Sequence, residues 1–225
     1  MYPELLELER QVGPCRDEAM RDGASECHEI TRYSAYGGHE PQLVVPAVCA
    51  LPSNVDVITV GINPRWTKHA DVPCQGTPRG QWYGPKTFEK YKETILSRLP
   101  AGTGIAHVEL VQCGTPSGSD VSETIMLCRS RFFDKVIRAL RPKVIVTIGK
   151  WASEHLYWYN TLPGCTGTHW DGIRRRHGTC ERATFGDHEC NIVFVLQPSS
   201  YVSIEQRNAA RDAIARACVD SSSKL

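Results

Sequence analysis

Four stretches of the chain gather its β-branched and apolar residues: 55–62 (VDVITVGI), 107–113 (HVELVQC), 143–148 (KVIVTI) and 191–197 (NIVFVLQ). Each is long enough for one strand. The run Val57-Ile58-Thr59-Val60 is β-branched throughout, a composition suited to a pleated strand covered on both faces. Between and after these stretches the hydrophobic spacing changes to the helical period. Phe88, Tyr91, Ile95 and Leu99 predict a helix over 85–99. Val121, Ile125, Cys128, Phe132, Val136 and Leu140 predict another over 120–141, opened by an Asp120-x-x-Glu123 capping box and closed by Pro142. Gly149 leads into a short helix over 150–158, and the Ser203-x-x-Gln206 capping box opens a last one over 203–218. Strands that alternate with helices of this length predict an α/β fold, three layers α/β/α around a central, mainly parallel four-stranded sheet.

The 225 residues suit a single domain, with 1–50 as an N-terminal segment and the polar tail 220–225 frayed. Stretches 64–83 and 160–190 read as long irregular loops, and such loops in a compact domain usually carry function. A formal net charge of +1 excludes a globally basic nucleic-acid binder. Phosphate contact would have to come from local groups: Arg174-Arg175-Arg176, Arg129 with Arg131, or Lys86, Lys90 and Lys92. The start MYPELLELERQ lacks a signal peptide's apolar core, and no later run approaches membrane-spanning length. The expectation is a cytoplasmic monomer with no membrane partner. In a reducing compartment, ten cysteines point to metal binding or plain burial rather than a disulfide framework. Cys49 and Cys218 read as small buried hydrophobes. Cys165, His169, His177, Cys180, His188 and Cys190 have ligand chemistry suited to zinc, although their spacing fits no standard finger; the alternative is a solvated insertion with a basic patch facing phosphate.

The strand ends carry the candidate chemistry. Gly61 lets the chain turn or another group approach closely, and Pro64 restricts Asn63 to extended geometry. Ligands of open α/β sheets bind at the carboxyl ends of parallel strands, where Asn63 would sit. The first strand ends in GINPRW and its loop runs on to QWYG (81–84); the others end in VQCGTPSG, TIGKWASEHL and QPSSY. In this order and spacing, the chain from about Asp56 to its last helix resembles the uracil-DNA glycosylase superfamily. GINP is similar to the water-activating motif of the mismatch-specific branch. CRSRFFDKVIRALRPKVIVTIGKWASEHL (128–156) resembles the iron–sulfur branches, and QPSSY stands where those enzymes have a His-Pro-Ser loop.

The resemblance implies a DNA base-excision glycosylase that flips a deaminated base, uracil or a related one, and hydrolyses its N-glycosidic bond. Asn63 would hold the attacking water through its carbonyl oxygen, positioning it more than deprotonating it. Gln197 would stand where a histidine stabilises the leaving base. Gly61 and Ile62 would line the base pocket, and Trp82, or failing it Tyr83, would stack on the base. Glu109 falls where the superfamily usually has an asparagine that pairs with uracil. A carboxylate only accepts, so it would suit a base edge rich in N–H groups; alternatively Glu109 lies outside the pocket and Gln112 reads the base. Ser199, Ser200, Tyr201 and Val202 would wedge into the duplex, with Arg65, Arg174 and Arg175 as further DNA contacts. Cys113 and Cys128 match two cluster cysteines of the iron–sulfur branches, and Cys15 with Cys27 would complete the four thiolates. The changes at Glu109 and Gln197 also suit a second reading, a relative that binds a base or single-stranded nucleic acid without cleaving it. A third is an unrelated nucleotide-binding α/β protein, which the lack of a Gly-rich phosphate loop disfavours.

Overall fold

The structure, a computed structural model, describes residues 54–62, 65–66, 91–110, 115–116, 125–126, 128–160, 172–198 and 202–220. Five strands form one sheet in the order β3-β1-β5-β7-β6: β1 (Val57–Gly61), β3 (Ile105–Glu109), β5 (Val144–Ile148), β6 (Cys180–Phe185) and β7 (His188–Val195). The first four in that spatial order run parallel, and β6 is an antiparallel edge strand on β7. The α/β class stands; the sheet has five strands where four were expected. β2 (Arg65–Trp66) and β4 (Thr115–Pro116) make a separate parallel pair that ties together the loops leaving β1 and β3.

The fifth strand lies inside the stretch expected to be irregular. In Cys180-Glu-Arg-Ala-Thr-Phe185 the inward face carries Glu181, Ala183 and Phe185, so only one large apolar residue marks it. Glu181 is buried because Arg176 pairs with it at 2.9 Å. A two-residue turn, Gly186-Asp187, closes the hairpin, with Gly186 at φ +65° as such turns require. Consequently β7 begins at His188, three residues before the hydrophobic run.

Alternation along the strands feeds two apolar layers. Ile58, Val60, Ile145, Ile192 and Phe194 face the layer that also holds Ile125, Phe132, Phe133, Val136, Leu156 and Tyr157. Val57, Val144, Val146, Val193 and Val195 face the other, with Ile95, Leu96, Ala210, Ala213 and Ile214. The sheet is thus covered on both sides, which explains why its inner strands read as near-continuous apolar runs, interrupted by the buried Thr59 and Thr147. Each fully buried Ile or Phe contributes about 1.5–3 kcal/mol relative to exposure.

The helices follow the predicted spacing with local departures. Residues 125–126 and 128 are helical, Arg129–Phe133 forms a π-helical turn, and α1 (Asp134–Leu140) follows it. The wider turn leaves both Phe132 and Phe133 buried. Arg141 ends α1 in the left-handed region at φ 46°. The Asp120–Glu123 capping box lies outside the described residues. The helix expected over 85–99 is helical at 91–94 and then turns, while 85–90 lie outside the description. Arg211 donates to the carbonyls of Glu93 and Thr94, each at 3.0 Å, satisfying that helix end. α2 (Lys150–Asn160) begins after Gly149, at φ +86°, and α3 (Ile173–Arg176) is a single turn. α4 (Ile204–Asp220) opens with the predicted reciprocal box: Gln206 N–H donates to Ser203 Oγ at 3.2 Å and Ser203 N–H to Gln206 Oε1 at 3.0 Å. No helix among the described residues is long and apolar enough to cross a membrane.

Candidate functional site

From β1 the chain crosses to β3 on one side and later to β5 on the other, so the strand order reverses between β1 and β5. Such a switch point opens a crevice at the carboxyl edge. Four strand exits meet along this edge: Gly61-Ile62 from β1, Glu109 from β3, Gly149 from β5 and Leu196-Gln197-Pro198 from β7. The exits of β5 and β7 adjoin, because a Cβ on Gly149 would lie 3.9 Å from that of Gln197. Gln197 is exposed there, and Pro198 is buried.

Glu109 and Gly61 are register partners at the last rung between β3 and β1. Glu109 is 6% exposed, and its carboxylate lies across Gly61: a Cβ at position 61 would fall 2.1 Å from Oε2. The close approach that Gly61 permits is therefore that of a side chain of this protein. Glu109 Oε1 is 3.2 Å from His107 Nε2, and His107 Nδ1 is 2.7 Å from Thr59 Oγ1. Residues 107 and 109 share a face because side chains in a strand repeat every two residues, and Thr59 is the register partner of His107. Tyr91 closes this set, its ring centroid 6.3 Å from that of His107. Burial, and then the Glu109 carboxylate, push the Tyr91 phenol up to about 12.

A second polar link holds the exit of β7. His177 Nδ1 accepts from Leu196 N–H at 2.9 Å, which places the ring proton on Nε2, donating to the Gln206 carbonyl at 2.8 Å. One imidazole thus joins the end of α3, the start of the Leu196-Gln197-Pro198 exit and the first turn of α4. Burial holds His177 below the usual histidine value, against the opposing effect of the Gln206 carbonyl.

No family model matches the chain, and no curated protein matches it either.

The expected site residues distribute as follows. Gly61, Ile62, Glu109 and Gln197 share the carboxyl edge. Asn63, Trp82, Tyr83, Gln112, Ser199, Ser200 and Tyr201 lie outside the described residues, as do Cys15, Cys27 and Cys113 and the side chain of Arg65. Arg174 and Arg175 are exposed on α3, but Arg176 turns inward, pairing with Glu181 and lying 4.9 Å over the Tyr157 ring. The triple-arginine patch is therefore a pair. Arg129 is largely buried and bonds Asp134 at 2.9 Å, so it is a structural cation. Cys128 is buried in the layer with Ile125 and Phe132.

Of the candidate zinc ligands, Cys165 and His169 lie outside the described residues, and the other four do not gather. His177 uses both nitrogens on the backbone, and His188 Nε2 lies 2.9 Å from the Pro142 carbonyl. Cys180 and Cys190 pair with Val193 and Ala183, three rungs apart on the hairpin. Among the described residues no group of three or more ligand-type side chains could hold a metal. Thr59 and His107, which the sequence did not mark as site residues, and His177, read there as a zinc candidate, supply buried polar contacts along this edge. The His107-x-Glu109 spacing was the available signal for one of these pairs.

Proposed function

We propose that this protein is a DNA base-excision glycosylase: it takes a flipped, deaminated base and hydrolyses the bond from C1′ to the base nitrogen. The observation that carries this reading is the strand order. A parallel β3-β1-β5-β7 sheet puts the exits expected to hold the water, read the base and stabilise the leaving group on one edge, around one switch point. In this reading the Asn63 amide orients a water toward C1′. The leaving base develops negative charge, and the Gln197 amide N–H donates to it. One preorganised donor of this kind is worth roughly 10²–10³ in rate. Gly149 keeps the neighbouring strand exit free of a side chain, and the link through His177 fixes the backbone just before Gln197. Arg174 and Arg175 remain open to phosphate.

An iron–sulfur cluster on Cys15, Cys27, Cys113 and Cys128 belongs to the same reading; the Cys128 thiol sits in the apolar, shielded setting such a cluster favours. Iron analysis and the visible spectrum of anaerobically purified protein test it, and a colourless, iron-free preparation removes it.

The activity is tested with oligonucleotides carrying single uracil, hypoxanthine or xanthine residues, followed by alkali to break abasic sites. Strand breaks at one or more of these bases are expected, with Asn63→Ala and Gln197→Ala each lowering the rate at least tenfold. Breaks left unchanged by Asn63→Ala would remove the role given to that residue. Binding without cleavage of any base would instead favour a relative that captures bases.

A further inference from the structure

Helix α2 leaves the exit of β5 with an aromatic face turned outward. Its buried side, Ala152, Ser153, Leu156 and Tyr157, packs toward the sheet. Trp151 and Trp158, each 54% exposed, and Tyr159, 55% exposed, lie on the opposite side with the half-buried ring of His155. Positions 151, 155, 158 and 159 recur at the helical period, so these rings form one stripe. We propose that this stripe is a platform for single-stranded DNA, whose bases stack on Trp151, Trp158 and Tyr159 while its phosphates meet Lys150, Arg174 and Arg175. The choice of DNA over RNA rests on the glycosylase reading above; the choice of a single strand rests on the helix itself.

Three observations carry it. First, the outward face is built of planar rings, with Glu154 beside them and no aliphatic side chain among them. Bare rings offer π-faces that any base can use, unlike the continuous apolar stripe that a helix lays into a partner's groove. Seven residues of helix set Trp151 and Trp158 about 10.5 Å apart along the axis, roughly three steps of a stacked strand.

Second, the rings are held in place. Tyr159 lies against His155 with centroids 4.7 Å apart, and the Arg129 guanidinium, itself fixed by Asp134, is 5.6 Å from the Tyr159 centroid. Trp158 meets Tyr157 edge-on at 5.7 Å, and the Lys150 ammonium lies 5.0 Å over Trp151. Burial, and then the Arg129 charge, lower His155 to about 4, so the middle of the stripe is an uncharged ring. Side chains ordered before binding lose less freedom when a base stacks on them.

Third, cations flank the stripe. Lys150 is exposed at the start of α2. At the other end Arg176 lies 4.9 Å over the Tyr157 ring, which brings the turn carrying the exposed Arg174 and Arg175 against α2. Against these three cations α2 sets a single carboxylate, Glu154. Lys150 and Trp151 directly follow Gly149 at the carboxyl edge, so the platform is continuous with the candidate site.

The test is fluorescence anisotropy of labelled oligo(dT), oligo(rU) and a duplex of the same length, titrated with the full chain at low and high salt. Wild type should bind oligo(dT) more tightly than the duplex, and more weakly as salt rises. Trp151→Ala and Trp158→Ala should each weaken oligo(dT) about five- to a hundredfold, and Phe at either position should keep most of the affinity. Val219→Ala removes an exposed apolar side chain from α4, on the other face of the sheet, and should change nothing. Circular dichroism checks that each variant is folded. Unaltered affinity in a folded Trp151→Ala, Trp158→Ala double variant overturns the inference, as does failure of wild type to bind oligo(dT). Neither result touches base release, which is measured separately. Tighter binding of oligo(rU) than of oligo(dT) overturns the choice of DNA. A dimer in sedimentation that Trp158→Ala dissociates gives the face to a second copy and overturns the inference as well. Binding of oligo(dT) through these rings without release of any base upholds the platform and removes the glycosylase reading.

Discussion

At the scale of single residues, the decisive contact is between a glycine and a carboxylate. Gly61 was conspicuous in the sequence as a small residue ending a β-branched strand, and its close approach was legible. What approaches it was not, because Glu109 is 48 residues away and meets it only through strand register. The His107-x-Glu109 pair could be read as two groups on one strand face; its link to Thr59 could not, for the same reason. Gly61→Ala puts a methyl group where Oε2 now sits, and displacing that side chain should cost about 1–3 kcal/mol, measured by denaturant unfolding. If the clash is the cause, the cost should shrink in a Glu109→Ala background, since contacting sites couple. Equal cost in both backgrounds would place the strain elsewhere.

At the scale of elements, agreement with the sequence tracks how much of each element's signal is apolar. β1, β5 and β7 are buried on both faces and were legible as runs. β6 was not, because its inward Glu181 is paid for by an arginine from another element, information absent from local periodicity. The Ser203–Gln206 box was legible because capping is chemistry within four residues. Ser203→Ala should destabilise α4, and with it the layer that α4 covers, by about 1 kcal/mol in chemical denaturation; no change would mean that the box is redundant. Arg141 holds a left-handed conformation that costs an L-residue roughly 1–2 kcal/mol. Arg141→Gly should therefore raise stability by up to ~1 kcal/mol, after loss of the exposed contact with Asp187. A lower melting temperature would contradict this.

At the scale of the whole molecule, buried neutral groups set a pH window. Burial lowers His155 to about 4 and holds His177 and His188 below the ordinary 6.5. The unfolded chain therefore binds more protons once pH falls below about 6.5, and stability declines progressively from there as pH drops toward about 4. Asp56, lowered by its contacts with Lys143 and Gly104 against burial, adds a loss of the same sign in more acidic solution. At the other end, burial pushes Cys190 up to about 12 and Cys180 and Cys218 up to about 11. Unfolded thiols ionise from about 9 upward, so stability should decline again above that pH. Melting temperature against pH, under reducing conditions, should form a plateau between about 6.5 and 9. A maximum below pH 5 would contradict the neutral, buried state of these histidines.

The whole-molecule claim is chemical: one sheet edge assembled to remove a base from DNA. The most direct measurement is chromatographic detection of the free base released from oligonucleotides bearing single uracil, hypoxanthine or xanthine residues, with protein in excess. Release of at least one free base together with an equal amount of abasic strand, reduced at least tenfold by Asn63→Ala, is the predicted result. Intact oligonucleotide and no free base for all three, with protein that is folded and bound to DNA, would contradict it.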